Sequence, residues 1–428
     1  MQSQRILKLL RSFESRNVTF IEPDGTWPLV WEKARGNYVW DVDGRKYVDL
    51  TAAFGVAAAG HANPRVVRAA KEQMSRLMHA MGDVHPHPLK AKLARELSRI
   101  TFERWDSGAR GKSIFCNSGF EAVETALKTT VLATGKPHVI AFTGGYHGFG
   151  YGALSITHRK MFRKPFHAQL AQFGHFVTYP HEHGSTLPAV TDEIETLFRT
   201  RRIGAIIVEP VQGRGGINIP DPGLLPALRD LCDRHKALLI VDEVFTGFGR
   251  TGRWFACEHS GAVPDLICLG KALTGGFPLS ACVGKSEVMD AWPPSKGEAL
   301  HTSTFLGHPV GCAMALANIE AIRSGKLLEK SRRLGDSLLE RLQSLSSKNL
   351  KLSSRGLGLM AGVELHKRNG VPATAEAFRV VKAMLQRGFI MLPEGEHGNV
   401  LSFTPPLTIT ERLLDDAVQN LAQTLRAA

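Results

Sequence analysis

Cysteine is scarce in this sequence. Six cysteines occur among 428 residues, and no two of them form a C-x-x-C pair. This usage excludes a small scaffold held by disulfides. We therefore expect buried free thiols in a protein of a reducing compartment.

Long apolar runs are also absent. No run in the sequence approaches the roughly 18–20 residues that a membrane-spanning helix needs. The N-terminal stretch MQSQRILKLLRSFESRN has neither the apolar core nor the small-residue cleavage site of a signal peptide. We expect a soluble, cytoplasmic protein with no membrane partner.

The composition has no excess of polar or charged residues. Apolar residues make up 43% and charged residues 22% of the chain, which is ordinary for a globular protein and excludes a mostly disordered or collagen-like one. The length allows two or three domains.

The charge balance is basic, with 53 Lys and Arg against 40 Asp and Glu, a net charge of +13. The basic residues are scattered, however, and the densest stretches, 159–164 and 326–333, contain at most one aromatic residue. We expect a solvated basic surface and no nucleic-acid partner. A binding protein for polyanions is the non-enzymatic alternative, and it predicts steeply salt-dependent binding.

The middle of the chain alternates short apolar runs with longer helical patterns. Helix patterns lie, for example, at 121–133 and 224–235. Five apolar runs predict strands at 113–116, 138–142, 205–208, 237–241 and 266–269. Alternation at this spacing predicts an α/β fold with a mostly parallel sheet between helices.

The two ends of the chain follow a different pattern. Residues 30–50 alternate apolar and polar side chains around an Asp-Gly pair at 43–44, which is typical of a β-hairpin. After residue 325, helices alternate with short strands, and Thr410 is a candidate cap of the last helix. We predict two domains: a large one at 56–324, and a smaller α+β one made from 1–55 and 325–428.

Two turns that follow predicted strands have the composition of ligand-binding loops. Asn117-Ser118-Gly119-Phe120 leads directly into a helix, whose free N–H groups and a hydroxyl could hold a phosphate. Gly144-Gly145-Tyr146-His147-Gly148 could bring its tyrosine against a planar ring. Taken singly, an ordinary capped turn and a loop aromatic that covers the core explain these segments at least as well.

Charged residues follow two other strands. Asp242 and Glu243 end an apolar run, where a buried carboxylate needs a partner: a helix cap, a salt bridge or the cationic ring nitrogen of a cofactor. Lys271 follows another apolar run next to a glycine. Desolvation lowers the pKa of a lysine, and a neutral amine can form a Schiff base with a carbonyl. A buried ion pair with Asp242 or Glu243 is the alternative.

Together the four segments supply a phosphate site, a ring-stacking aromatic, an acidic partner and a Schiff-base lysine, which are the parts that hold pyridoxal 5′-phosphate (PLP). Their order resembles that of the class III aminotransferases of PLP fold type I, over nearly the whole chain. The resemblance extends to the stretches GNYVWDVDGRKYVDL, GHANPRVVRA, IIVEPVQGRGG, VDEVFTGFGRTG, GKALTGGFPLSA and HTSTFLGHPVGCAMALA. It implies a seven-stranded type of sheet in the large domain.

The resemblance also implies roles for particular residues. Lys271 is the Schiff-base lysine and moves the catalytic proton, while Asp242 pairs with the pyridinium nitrogen. The other implied cofactor-binding residues are Ser118, Gly119 and Phe120 at the phosphate, Val244 and Tyr146 on the two faces of the ring, His147 and Glu209 near it, and Thr304, which reaches the phosphate from the other subunit of a homodimer.

Two positions depart from the family pattern. Ser402 stands where members that use α-amino acids often carry a carboxylate-binding arginine, and Phe149 stands where some carry a second one. Arg214 or Arg250 is a candidate replacement. Three phenylalanines indicate a more apolar pocket, which argues against an ornithine or acetylornithine substrate: Phe54, Phe149 and Phe403.

The activity that the resemblance implies is PLP-dependent transfer of an amino group from an amine, ω-amino acid or amino acid to a 2-oxo acid. A racemase, epimerase, aminomutase or decarboxylase of the same fold uses the same lysine and is the alternative. We predict no metal site, because no His or Cys spacing in the sequence matches a ligand set.

Overall fold

Helices and strands alternate along most of the chain. A computed structural model describes residues 2–23, 25–181 and 185–427. Within these residues the strands are, in chain order, β1 (Trp31–Arg35), β2 (Tyr38–Asp41), β3 (Lys46–Asp49), β4 (Gly111–Cys116), β5 (His138–Phe142), β6 (Gly174–Val177), β7 (Ile203–Val208), β8 (Leu238–Asp242), β9 (Leu266–Leu269), β10 (Ser280–Lys285), β11 (Leu350–Gly356), β12 (Ala361–Lys367), β13 (Phe389–Ile390), β14 (Leu392–Glu394) and β15 (Val400–Phe403). The α-helices are α1 (Gln2–Phe13), α2 (Ala52–Gly55), α3 (Pro64–Arg76), α4 (Pro88–Ile100), α5 (Phe102–Trp105), α6 (Gly119–Thr134), α7 (Tyr151–Ser155), α8 (Lys160–Arg163), α9 (Leu187–Thr200), α10 (Leu224–His235), α11 (Ser286–Met289), α12 (Pro309–Ser324), α13 (Leu327–Gln343), α14 (Thr374–Gln386) and α15 (Glu411–Ala427).

The middle of the chain forms a seven-stranded sheet with the order β4-β10-β9-β8-β7-β5-β6. From β9 to β6 the neighbouring strands are parallel, whereas β10 is antiparallel to both β4 and β9. The mostly parallel α/β sheet that the sequence predicts is confirmed. Every residue of β7 and of β9 is buried, which explains why their sequences are continuously apolar.

Helices cover both faces of this sheet. On one face, Val123 of α6 shares an apolar cluster with Ile207 of β7. On the other face, Leu93 of α4 and Leu228 of α10 belong to the main core together with Ile206 of β7. Successive side chains of one strand thus enter opposite layers, as the pleat of a strand requires.

The two ends of the chain meet in a smaller sheet. β2 and β3 form the predicted hairpin, β1 pairs with β2, and β13 joins β3 in parallel, with Val48 beside Phe389. The sheet β11-β12-β15-β14 comes from the C-terminal part alone. The main apolar core continues from the large sheet into α13, α14 and α15, so the domain limits at 55/56 and 324/325 stay a prediction.

The thiols agree with the expectation from the sequence. All six cysteines lie in the described residues, and each is buried and free. Among the helices of the described ranges, none combines the length and the apolar character that a bilayer crossing needs.

Candidate active site

A cavity of about 230 Å³ opens at the carboxyl ends of β5, β7, β8 and β9. Open parallel sheets bind their ligands at this edge. Nine of the ten predicted site residues are near it, and eight of them line it. The lining consists of Gly119, Phe120, Tyr146, His147, Gly148, Phe149, Glu209, Arg214, Asp242, Val244, Phe245 and Lys271.

Lys271 is the basic residue that follows β9. It begins a short 3₁₀ turn, Lys271–Leu273, with a φ of 38°, in the left-handed region that only a few non-glycine residues adopt. Burial lowers the pKa of Lys271 to about 8, although the negative charges of Asp242 and Glu209 act to raise it. A substantial fraction of this amine is therefore neutral near pH 8 and able to react as a nucleophile.

Asp242 ends β8 and forms a buried pair with His147. Its Oδ2 lies 2.8 Å from Nδ1 of His147, and its Oδ1 accepts a hydrogen bond from the backbone N–H of Val244 at 3.1 Å. Burial acts to lower the pKa of His147, but the hydrogen bond and charge of Asp242 outweigh it, so that the pKa lies above its ordinary value. The backbone N–H of His147 donates to Oγ1 of Thr157 at 3.0 Å, which fixes the loop.

Glu243, next in sequence, belongs to a different environment. Its carboxylate accepts hydrogen bonds from the hydroxyl of Thr246 and from the backbone N–H of Cys257. Glu243 is fully buried and does not line the cavity. Of the two adjacent carboxylates, Asp242 is therefore the one available to a ligand.

Glu209, which follows β7, connects two loops of the site. Its Oε1 accepts from the backbone N–H of Tyr146 at 2.8 Å, and its Oε2 accepts from that of Gly213 at 3.1 Å. Burial raises the pKa of Glu209 to about 7, with a partial opposing effect of the charge of His147. The nearby Gln212 donates to the carbonyl of Thr143 at 2.6 Å and lies outside the cavity lining.

The start of α6 forms another side of the cavity. The carboxylate of Glu121 accepts from the backbone N–H groups of Asn117 and Ser118 at 2.7 and 2.8 Å, which fixes the turn. The Oγ of Ser118 is buried and has no hydrogen-bond partner among the described residues. A Cβ on Gly119 would lie 2.9 Å from Cγ1 of Val244, so the helix start depends on glycine for its close approach to the cavity floor.

Thr304 is the predicted site residue that this chain does not bring to the cavity. It is exposed and outside the lining residues. Its loop is nevertheless tied to the turn before α6, since Nδ2 of Asn117 donates to Oγ of Ser303 at 3.1 Å. A contact from Thr304 to a second subunit stays a prediction.

Of the arginines and phenylalanines that the sequence suggested for the pocket, some line the cavity and others do not. Arg214 and Phe149 line the cavity. Arg250 is buried elsewhere, where its Nη1 donates to the backbone carbonyls of Leu359 at 2.9 Å and of Pro405. Of the three phenylalanines that predicted an apolar pocket, Phe149 lines the cavity. The other two lie outside its lining, since Phe54 is exposed and Phe403 is fully buried.

Two residues that the sequence analysis missed belong to the site. The ring of Phe245 lies between Gly55 and Gly213, and its centroid is 3.9 Å from Nζ of Lys271. Phe245 directly follows the Asp-Glu-Val run, so its position was visible in the sequence. Glu394 of β14 lies 3.9 Å from Arg214 and had no sequence signal beyond a glycine-rich loop.

Comparison with known proteins decides the family. The family model described as "Aminotransferase class-III" matches residues 20–425. The chain belongs to the class III aminotransferases. The class III relatives include an acetylornithine aminotransferase of Methanosarcina mazei, 37% identical over 93% of this chain and 92% of that protein. They also include a 5-aminovalerate aminotransferase of Pseudomonas aeruginosa, 37% identical over 92% of this chain and 93% of that protein.

Solved transaminase structures have the same fold. An amine transaminase from an uncultivated Pseudomonas species, crystallised in its PLP-bound form, has a TM-score of 0.88 and 30% identity over 96% of this chain and 98% of that chain. The fold is therefore PLP fold type I, and the protein is a PLP-dependent aminotransferase of amino acids or amines, as the resemblance implied.

The residues of the cavity fit PLP. The buried Ser118 hydroxyl without a partner and the helix start at Gly119 match a phosphate. At the other side, the buried carboxylate of Asp242 matches a cationic ring nitrogen, and the amine of Lys271 matches an aldehyde. In the described part of the chain, no group of three or more His, Cys, Asp or Glu is arranged to hold a metal ion.

Proposed function

We propose that Lys271 is the amine that reacts with PLP and that Asp242 is the partner of the PLP ring nitrogen. The supporting observation is that a lysine with a pKa of about 8 and a buried carboxylate line one cavity with the start of α6. When bound, PLP supplies an aldehyde that links covalently to amines and a ring that accepts electrons from the neighbouring carbon.

Asp242 and His147 hold a proton on the ring nitrogen. The carboxylate of Asp242 is 5% exposed and lines the cavity, so a cationic ring nitrogen bound there would pair with it. Nδ1 of His147 donates to Oδ2 of that carboxylate and orients it. Asp242, oriented in this way, would hold the proton on a bound ring nitrogen at neutral pH and so preserve the capacity of the ring to accept electrons.

The phosphate and the ring faces are bound by residues of three loops. The Ser118 hydroxyl and the backbone N–H groups of Gly119 and Phe120 would donate to the phosphate, favoured by the positive end of the α6 dipole. Val244 and Tyr146, which line the cavity, would cover the two faces of the ring.

Lys271 also moves the proton. The Nζ of Lys271 would accept and donate the proton of the reacting carbon, and a pKa that burial lowers to about 8 suits a group that does both near neutral pH. The ring of Phe245, whose centroid is 3.9 Å from Nζ, stabilises the charged form of the amine.

The substrates are an amino donor and a 2-oxo acid acceptor. The acetylornithine and 5-aminovalerate aminotransferases among the relatives are named for donors that carry an amine at the end of an aliphatic chain and a carboxylate elsewhere. We propose a donor of this class, because two of the three phenylalanines that argued against an acetylornithine-like substrate, Phe54 and Phe403, lie outside the cavity lining. The aromatic wall formed by Tyr146 and Phe149, whose ring centroids are 5.4 Å apart, suits the aliphatic chain.

The working form that we propose is a cytoplasmic homodimer. An exposed apolar surface surrounds the loop of Thr304 and includes Met78, Met81 and Phe305, and a surface of this kind marks an interface between subunits. In the dimer, Thr304 would donate to the phosphate of the cofactor bound by the other subunit. The six buried free thiols support a reducing compartment.

Covalent labelling tests the role of Lys271. The protein is loaded with PLP, reduced with borohydride, digested and examined by mass spectrometry. We expect the pyridoxyl phosphate label on the peptide that contains Lys271, no label and no visible absorbance in Lys271→Ala, and normal labelling in Lys348→Ala, which alters an exposed lysine. A label on any other lysine refutes the assignment.

A further inference from the structure

Arg214 has a backbone position that the surrounding structure fixes. It occupies the turn Gly213–Gly216, and its carbonyl accepts hydrogen bonds from the backbone N–H of Gly395 at 3.2 Å and from the guanidinium of Arg159. The preceding residue, Gly213, donates its N–H to Glu209. The side chain of Arg214 is therefore presented to the cavity by a rigid loop.

The side chain of Arg214 lacks a full set of partners. Its guanidinium carbon lies 5.0 Å from the ring centroid of Tyr146. Its Nε is buried and has no hydrogen-bond partner in the ranges that the structure describes. The nearest carboxylate oxygen, Oε2 of Glu394, is 3.9 Å from that Nε, which is too long for a hydrogen bond. A buried donor left unsatisfied costs free energy until a ligand satisfies it.

Glu394 is a carboxylate held at the edge of the same site. Its side chain is 10% exposed, whereas that of Arg214 is 40% exposed. Burial raises the pKa of Glu394, and the positive charges of Arg214, Arg159 and Lys271 oppose this rise. The charges of Arg214 and Glu394 also act on Lys271, so the pair lies within electrostatic range of the reacting amine.

Other arginines near the site are engaged. Arg159 donates to the backbone carbonyls of Arg214 and Gly395. Arg355 forms an ion pair with Glu364 at 2.6 Å. Among the residues that line the cavity, Arg214 is the one that brings a guanidinium.

We propose that Arg214 binds the carboxylate of the substrate and that Glu394 is the counter-ion which this carboxylate replaces. A guanidinium can bind a carboxylate through two parallel hydrogen bonds, which the long contact with Glu394 does not provide. The substrates of this site are then amino acids and 2-oxo acids rather than plain amines. The proposal rests on Lys271 being the reacting amine.

Two probes with the same five-carbon chain separate the carboxylate from the rest of the substrate. Pentanoate carries the carboxylate without the amine, and its dissociation constant is measured by calorimetry on the PLP-loaded protein. Pentylamine carries the amine without the carboxylate, and its reaction is followed as the loss of the PLP absorbance band. A single charge-assisted hydrogen-bonding group changes binding by about 10- to 100-fold.

Four variants give the expected pattern. Arg214→Gln weakens pentanoate binding about 10- to 100-fold and changes the constants for pentylamine less than about threefold, while Arg214→Lys lies between it and the wild type. Glu394→Gln tightens pentanoate binding severalfold, because the competing anion is gone. Arg253→Gln removes the same charge from an exposed position and changes neither probe.

Three results overturn the proposal. Pentanoate binding that is unchanged in Arg214→Gln, affinity for both probes that falls in the same proportion, or a wild-type protein that does not bind pentanoate each excludes Arg214 as the carboxylate site. Borohydride labelling of the same variants separates the two proposals. A label on Lys271 with unchanged pentanoate binding refutes only the role of Arg214, whereas a label on another lysine refutes the proposed function.

Discussion

The buried carboxylate of Glu243 makes the stability of this protein depend on pH. Glu243 has no exposed surface, and it accepts hydrogen bonds from Thr246 and Cys257. Burial raises the pKa of Glu243 to about 7, and these hydrogen bonds act against the rise. The variant Glu243→Gln replaces the titrating group by a neutral one of nearly the same shape.

The sign and the size of the effect follow from the two pKa values. Between the ordinary value of 4.5 and about 7, Glu243 is ionised in the unfolded chain but protonated in the folded one. The unfolded state then binds fewer protons, so the free energy of unfolding falls as pH rises through this interval and levels off above it. At about 1.4 kcal/mol per pKa unit, the loss between pH 5 and pH 8 is about 2–3 kcal/mol.

Urea unfolding of the PLP-free protein at pH 5 and pH 8 measures this loss. We expect the difference in the free energy of unfolding, Glu243→Gln minus wild type, to increase by about 2–3 kcal/mol as pH rises from 5 to 8. The comparison cancels other titrating groups, because both proteins contain them. Glu287→Gln, at an exposed position, is the control and gains nothing. A gain of zero, or one of opposite sign, would show that Glu243 is already charged in the folded protein at pH 5.

Three further predictions concern the cavity. Gly119→Ala weakens PLP binding roughly tenfold, because the new Cβ meets Val244 at 2.9 Å, whereas in a Val244→Ala background the same change has little effect; fluorescence titration of PLP compares each pair, and an equal loss in both backgrounds excludes the steric cause. The rate at which PLP-free protein takes up PLP rises between pH 7 and pH 9 with a midpoint near 8, as the amine of Lys271 loses its proton; a rate that is flat in stopped-flow absorbance contradicts this. Asp242→Ala leaves His147 buried without its partner and lowers the free energy of unfolding by about 3–5 kcal/mol in urea titrations, and a loss below about 1 kcal/mol is inconsistent with a tightly coupled pair.

The large sheet could be predicted where a strand is buried on both faces. The strands β7, β8 and β9 have continuously apolar sequences for that reason, and α10 begins and ends as its periodicity indicates. The strands β6 and β10 give no such signal. β6 is a four-residue edge strand with three half-buried residues, and β10 has the small-residue sequence SACVGK, which is recognisable only beside its neighbours.

The site could be predicted to the extent that its residues follow strands directly. Asp242 and Lys271 do so, and the edge of the sheet brings them together. Arg214 and Arg250 have the same sequence signal, a loop arginine after a family motif. Packing alone separates them, because burial lowers the pKa of Arg250 to about 9 in the core while Arg214 stays on the cavity wall. Glu394 belongs to β14, which is distant in sequence from the other site residues, so no local sequence pattern predicts its place in the site.

The parallel pairing of β3 with β13 has a consequence for the order of assembly. Val48 pairs with Phe389, so the N-terminal hairpin keeps an open hydrogen-bonding edge until nearly the whole chain has left the ribosome. The large sheet needs only residues 111–285 and can assemble earlier. Closing so long a loop is entropically costly and slow. During synthesis, the central sheet can therefore form at a stage when the first hairpin is still unpaired, because β13 has not yet been synthesised.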